Sequence, residues 1–405
     1  MIPKGWSEEN FTEFATVNPR RSVPKGEVIR FVEMAAVSET AASVSHLLER
    51  EFKGSGSKFQ NGDTLFARIT PCAENGKTAF VSFLDQDECA AGSTELIVLA
   101  PDPQKCFPKF LYFLARWERI RSHAISNMEG TSGRQRVPAR VFSELVLSLP
   151  PLHEQKRIAE ILTSVDDAIQ ATEKVIEQTK KVKQGLLQEL LTRGIGHSKF
   201  KKTKIGEIPE SWEVVKLGEL FDLVERPIDM HDNDKYQLVT VKRRFGGVVE
   251  RSVLKGEQIK VKSQFSLKAG DFLISKRQIV HGACEVVPAS LENAIVSNEY
   301  NVLRPRNMLH LDFFRWLCRR PFMMEYFLIC SIGVHIEKML FKINDWNRQL
   351  VPLPPLTEQR YISEKLTFVD ANISNYENDL ESLFKIKSGL MQDLLTGRVR
   401  VGGTA

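Results

Sequence analysis

No stretch of the 405-residue sequence approaches the roughly 18 uninterrupted apolar residues of a membrane-spanning helix. Met1-Ile2-Pro3-Lys4-Gly5-Trp6 also lacks the apolar core of a signal peptide, so a cytoplasmic protein without membrane contact is the default. The six cysteines, Cys72, Cys89, Cys106, Cys284, Cys318 and Cys330, form no CxxC pair and sit beside no clustered histidines. Neither a zinc site nor a disulfide framework is indicated, and reduced, mostly buried thiols are expected.

Catalytic signatures are missing too. Asn75-Gly76-Lys77-Thr78 resembles the tail of a P-loop, but the position five before Gly76 is Pro71, where the phosphate cradle needs glycine. Gly54-Ser55-Gly56 is a lone glycine-rich turn without the strand, helix and downstream acid of a dinucleotide site. No Asn-Pro-Pro-aromatic or Asp-Pro-Pro-aromatic cluster, which would hold an extruded base for amino methylation, occurs. Pro101-Asp102 with Glu154-Gln155-Lys156 is poor support for a metal-dependent nuclease, because the lysine becomes Arg360 in a second copy of that segment. No catalytic residue and no metal ligand is assigned.

That second copy is the main feature present. Residues 149–195 recur as residues 353–399, and 23 of the 47 ungapped positions are identical. Leu149-Pro150-Pro151-Leu152 with Glu154-Gln155 returns as Leu353-Pro354-Pro355-Leu356 with Glu358-Gln359, and Ile2-Pro3 with Trp6 returns as Ile208-Pro209 with Trp212. The chain is a duplicated unit in which each repeat has about 150 variable residues and then a nearly constant helix. A part that stays constant suits a shared mechanical task, and parts that diverge suit a choice between two targets.

Pro151 suits a helix start, where its missing N–H costs nothing, and Glu154 places negative charge in the first turn. Steps of four and three then mark a seam through Ile158, Leu162, Val165, Ile169, Thr172, Ile176, Thr179, Lys183, Leu186 and Leu190. The second copy runs through Ile362, Leu366, Val369, Ile373, Tyr376, Leu380, Leu383, Lys387, Leu390 and Leu394. Such a stripe needs another long helix, and each copy supplies the partner for the other in an antiparallel coiled coil. Each helix would span about 57 Å at 1.5 Å per residue, roughly one and a half turns of B-DNA. Thr172 and Lys183 are expected to be polar positions that set register. Gly185 and Gly389 are expected to mark a close approach of the crossing helices or a docking point for another subunit.

Both variable regions predict mixed α/β domains. Asn61-Gly62-Asp63 before Thr64–Arg68 and Lys268-Ala269-Gly270-Asp271 before Phe272–Arg277 share a Gly-Asp turn, an apolar strand and a basic exit. Ser93-Thr94-Glu95 before Leu96–Leu99 matches Ser297-Asn298-Glu299 before Tyr300–Leu303, and an aromatic-rich helix follows, Phe110–Ile120 and Phe313–Cys318 continuing past Pro321. The net charge of +5 is mild, but from Lys242 to Arg277 ten Lys or Arg stand against three acids. That suits a phosphate backbone. The candidate DNA-contacting residues are Arg68, Lys77, Arg134 and Arg136 in the first domain, and Arg243, Arg244, Lys276, Arg277, His281 and Lys338 in the second. Any one of them is read first as a phosphate contact.

The double Leu-Pro-Pro-Leu-x-Glu-Gln, the helix closing in Gly-Leu-x-Gln-x-Leu-Leu-Thr and the restart Gly206-Glu207-Ile208-Pro209-Glu210-Ser211-Trp212 resemble the specificity subunits of type I restriction-modification systems over essentially the whole chain. The resemblance implies an α+β fold with an internal pseudo-two-fold repeat: a target-recognition domain at 1–150, a helix at 151–194, a linker at 195–207, a second recognition domain at 208–352 and a second helix at 353–397. It implies that the domains read the two halves of a bipartite, asymmetric double-stranded DNA site, with the helices setting the spacer. It further implies two modification subunits that bind S-adenosylmethionine and restriction subunits that use ATP and magnesium, with no cofactor on this chain. The alternatives are the specificity portion of a single-chain restriction and methylation enzyme, and a coiled-coil scaffold with protein-binding ends.

Overall fold

The computed structural model describes residues 2–131 and 133–401. The chain divides into two compact units, one formed up to Ile176 together with the segment from Tyr376 onward, the other by Glu177–Asn375.

In the first unit two four-stranded sheets stack. One has the order Ala15–Val17, Leu96–Pro101, Thr64–Ala67, Thr78–Phe80 and is antiparallel throughout. The other runs Leu48–Glu51, Val28–Val32, Ala90–Gly92, Ser57–Phe59, with one parallel pairing between Val28–Val32 and Ala90–Gly92. Leu96-Ile97-Val98-Leu99 is an unbroken apolar run because both of its faces are covered. Leu65, Leu96 and Val98 point into a cluster with Val32 and Phe59, while Phe66, Ile97 and Leu99 face the helices. That alternation is the two-residue period of a strand.

The second unit repeats the plan. Phe221–Leu223, Tyr300–Pro305, Phe272–Ser275 and Cys284–Val286 form its antiparallel sheet, and Val248–Lys255, Lys235–Val241, Ile295–Ser297 and Gln264–Ser266 form the mixed one. Leu273 and Val302 face one cluster, and Phe272, Ile274 and Leu303 the other. The aromatic-rich segment of the first unit is two helices, Pro108–Arg116 and Glu118–Ser126, where the sequence predicts one, because Trp117 between them adopts an extended backbone. Its counterparts are Leu311–Leu317 and Pro321–Ile329, with proline at the first turn of the second. Four of the six cysteines are buried and all are free.

The duplicated segments are helices Leu152–Leu190 and Leu356–Leu395. Each contributes its N-terminal half to one unit and its C-terminal half to the other. In the first unit Glu154 meets Arg400 while Asp166 meets Lys387; in the second Glu358 meets His197 while Asp370 meets Lys183. Within each unit the two helix halves therefore run antiparallel.

Most of the seam is covered, but Tyr376, expected within it, is exposed. Ile158, Leu162, Ile169, Ile176, Ile362, Leu366, Ile373 and Leu394 are buried, Val165 and Val369 half-buried, and Leu186, Leu190 and Leu390 pack against the cores. Lys183 and Lys387 pair across the seam with Asp370 and Asp166. Thr172 instead returns its hydroxyl to the Ala168 carbonyl of its own helix. The glycines depart from the expectation of a close helix approach. Gly185 and Gly389 are exposed, and a Cβ added at either would meet no atom within 4 Å.

The Pro-Pro-Leu-x-Glu-Gln motif fastens each helix to its domain. Gln155 Nε2 donates to the Lys105 and Pro150 carbonyls (2.9 Å each), and its Oε1 accepts the Phe107 N–H at 2.8 Å. Gln359 does the same with Met308 (3.0 Å), Pro354 (2.8 Å) and the His310 N–H (2.8 Å). The neighbouring glutamate accepts the indole N–H of Trp6 at 3.1 Å in one unit and of Trp212 at 3.0 Å in the other. It also receives the segment that follows the opposite helix. Arg400 forks onto Glu154 with two 2.8 Å bonds, and Glu358 holds the Ile195 N–H (3.0 Å) and His197 (2.8 Å). Burial pushes the Glu154 carboxyl up, but Arg400, Trp6 and the Val401 N–H outweigh it and hold it below its ordinary value.

Candidate nucleic-acid interface

In both units the Gly-Asp turn is a buried structural device. Gly62 and Gly270 take left-handed backbone angles, φ +90° and +82°, which a Cβ would strain. Asp63 caps the Gln60 N–H at 2.7 Å and pairs with Arg21; Asp271 caps the Lys268 N–H at 2.8 Å and pairs with Arg226 at 2.6 Å. Burial raises the Asp63 carboxyl against the pull of Arg21. The strand so anchored ends at Arg68 in one unit and Lys276 in the other, and each donates its backbone N–H at 2.9 Å to the carbonyl of Glu95 or Glu299. A variable loop then joins the same point, because the Val137 N–H donates to the Arg68 carbonyl (2.8 Å) and the Phe341 N–H to the Lys276 carbonyl (2.9 Å).

In the first unit this construction gathers Arg68, Arg136 and Glu95. Arg136 donates to both Glu95 oxygens at 2.8–3.1 Å, and that hydrogen bonding holds the Glu95 carboxyl below its usual range, with the charge of Arg68 adding to it. Arg134 is exposed on the same loop. Lys77 stands apart: it is half-buried, and its ammonium donates to the Met34 carbonyl at 3.1 Å.

The second unit brings its six candidates into one neighbourhood. The Lys242–Gly247 loop is laced to the 279–282 turn by the Arg244 N–H on the His281 carbonyl (2.8 Å) and the Phe245 N–H on the Gly282 carbonyl (2.9 Å). Arg243 then reaches Gln278 at 2.8 Å and Glu337 at 2.5 Å, and His281 reaches the same Glu337 at 3.1 Å. Arg277 bonds Glu299 at 2.6 Å, and the Lys276 ammonium donates to the Asn298 carbonyl at 2.6 Å. Arg244 and Lys338 are exposed. Sequence reasoning missed the acids. Glu95 and Glu299 occupy matching positions and each holds an arginine, but Arg136 enters from the variable loop and Arg277 from the strand exit. The signal was the Glu that closes both Ser-x-Glu triplets, which marks the strand start and says nothing of a partner from another loop.

Each unit's surface can meet a polyanion: exposed Arg134 in the first and Arg244 and Lys338 in the second offer charge directly, and Arg136 in the first and Arg243 and Arg277 in the second are held in position by carboxylates. Among the described residues no group of three or more His, Cys, Asp or Glu could hold a metal ion, and no helix is long and apolar enough to cross a membrane.

A family model described as the type I restriction modification DNA specificity domain matches the chain twice, at residues 3–181 and 209–383. The putative MjaX specificity subunit of Methanocaldococcus jannaschii, a type I restriction enzyme subunit, is 30% identical over 84% of this chain and 79% of its own length. The MjaVIII specificity subunit of the same organism is 30% identical over 72% of this chain and 70% of its own. The solved HsdS subunit from Thermoanaerobacter tengcongensis has the same fold at 21% identity, with a TM-score of 0.50 and 98% of both chains covered. The type I restriction-modification S subunit from M. genitalium shares it at 14% identity, with a TM-score of 0.57 and 96% of both chains covered.

Proposed function

Because the chain belongs to the type I restriction modification DNA specificity family, we propose that it is the DNA-recognising subunit of a type I restriction-modification complex. Its two recognition domains read the two halves of a bipartite, asymmetric site in double-stranded DNA. The observation that carries this is the pair of units with one topology and unlike surfaces: the same strand exit and the same glutamate, but different arginines and different loops around them. A repeated scaffold with divergent faces is what two different half-sites require, since phosphate contacts fix position and side chains at base edges specify.

The two long helices set the length of the unread spacer, and their exposed sides dock two modification subunits. Those subunits bind S-adenosylmethionine and methylate adenine, and restriction subunits supply ATP- and magnesium-dependent cleavage in the cytoplasm. This chain binds none of these cofactors and catalyses neither step.

The test is to assemble the chain with its modification subunits and map the methylated adenines on genomic DNA. Exchanging residues 1–150 for another recognition domain changes one half of the recognised sequence and leaves the other half and the spacer intact. A change in both halves overturns independent readout, and methylation by the isolated chain overturns the non-catalytic assignment.

A further inference from the structure

The variable loops that join the strand exits are built from opposite chemistry. In the first unit the loop from Glu129 to Arg136 contains no apolar residue, and it is closed by paired backbone hydrogen bonds between those two residues (2.8 and 2.9 Å). In the second unit Ser331–Ile332 pairs with Leu340–Phe341, and the hairpin between them raises Ile332, Val334 and Ile336 into solvent at 63%, 96% and 50% exposure. Three aliphatic side chains at one exposed tip leave apolar surface in water that folding does not bury, and such a patch marks a contact.

The rim of the tip identifies the partner. Glu337, inside the hairpin, is held by Arg243 at 2.5 Å and His281 at 3.1 Å, and Lys338 stands exposed beside it. An exposed apolar tip with Arg243 and Lys338 close to it in the same loop cluster, their charge offset in part by Glu337, suits the major groove of DNA, where phosphates form the walls and the thymine C5-methyl is the apolar group on the base-pair edges. The corresponding place in the first unit carries Arg134 and Arg136, side chains suited to guanine.

We infer that Val334, flanked by Ile332 and Ile336, reads thymine through its C5-methyl group in the half-site taken by the second recognition domain. This rests on the proposed DNA-recognition function and adds a named base and a named contact. The first domain, with arginines in the matching loop, has no such methyl dependence at that place.

The experiment uses the complex with its modification subunits and duplexes carrying the mapped site, with each thymine replaced in turn by deoxyuridine, which removes the methyl alone. At one or two positions of the second half-site, binding by the native complex weakens about fourfold, the worth of one buried methylene. Val334→Ser shows that loss already with thymine and loses nothing more with deoxyuridine; its side chain is almost wholly exposed, so the fold is retained. Deoxyuridine at every position leaving binding unchanged, or a half-site without thymine on either strand, overturns the inference while half-site recognition stands. Val334→Ser weakening assembly with the modification subunits while the deoxyuridine penalty persists also overturns it, and assigns the tip to a protein contact. A complex with no sequence preference at all defeats the underlying function and this inference with it.

Discussion

The lysine within the helical seam is the same residue in both repeats, and its two settings differ. Lys387 and Asp166 meet at 2.5 Å with side chains only 8% and 6% exposed, whereas Lys183 and Asp370 remain 23% and 45% exposed, with Lys183 lying 5.1 Å over the ring of Trp316. Burial lowers the Lys387 pKa, and the nearby Arg116 lowers it further against the pull of Asp166. A duplicated contact has thus kept its geometry and changed its solvent. In the first unit it is a desolvated pair whose loss strands a charge; in the second it shares its charges with water and an aromatic face.

That contrast is open to direct attack. The largest effect is expected from Lys387→Met, which leaves Asp166 buried and uncompensated and lowers stability by about 3–5 kcal/mol. Lys183→Met costs under about 1 kcal/mol, as water takes over Asp370. Urea unfolding of both variants checks this, and equal losses would erase the distinction. Next in size is Arg400→Ala, which removes two charge-assisted bonds from Glu154, buried at the helix start, at about 1–3 kcal/mol. The Glu154 carboxyl lies below its ordinary 4.5 in the folded chain, so its stabilisation is fully present above pH 4.5 and is lost as the pH falls through the folded value. Arg400→Ala therefore flattens the acid limb of a stability–pH curve, and an unchanged limb refutes the role of the arginine. The smallest effect is a gain. Gly185→Ala and Gly389→Ala each stabilise the isolated chain by up to about 1 kcal/mol, because the added methyl meets nothing in a helix interior. If the glycines serve docking, the same variants assemble less well with modification subunits, measured by co-purification.

The repeat, the seam and the paired Gly-Asp turns were legible because each is local or repeated in sequence. Helical periodicity located Ile158, Leu162, Ile362 and Leu366, and the matching Ser-x-Glu triplets before apolar runs located the strands around Leu96 and Tyr300. What stayed hidden is long-range pairing. Glu154 reads as an acid placed for the helix dipole, and nothing near it announces Arg400, 246 positions away. Asp166 and Asp370 are identical in the two copies, as are the two lysines, and that coincidence was the available clue to the seam contacts. Among the candidate DNA contacts, sequence named the basic residues but could not distinguish Arg136 and Arg277, tied to Glu95 and Glu299, from Lys77, turned onto the backbone of its own domain. Composition reports charge, and only the folded loops decide where it is spent.

The division of the helices between the units bears on how the protein is made. The second unit is one continuous stretch from Glu177 to Asn375, whereas the core of the first includes Met391, Leu394 and Leu395. The 199 residues from 177 to 375 separate the parts of that core. At about 5–20 residues per second, a ribosome needs roughly 10–40 s to add them. The domain synthesised first is thus the one finished last. Through that interval its unfilled apolar edge, around Ile158 and Leu162, waits for the closing turns of a helix not yet translated.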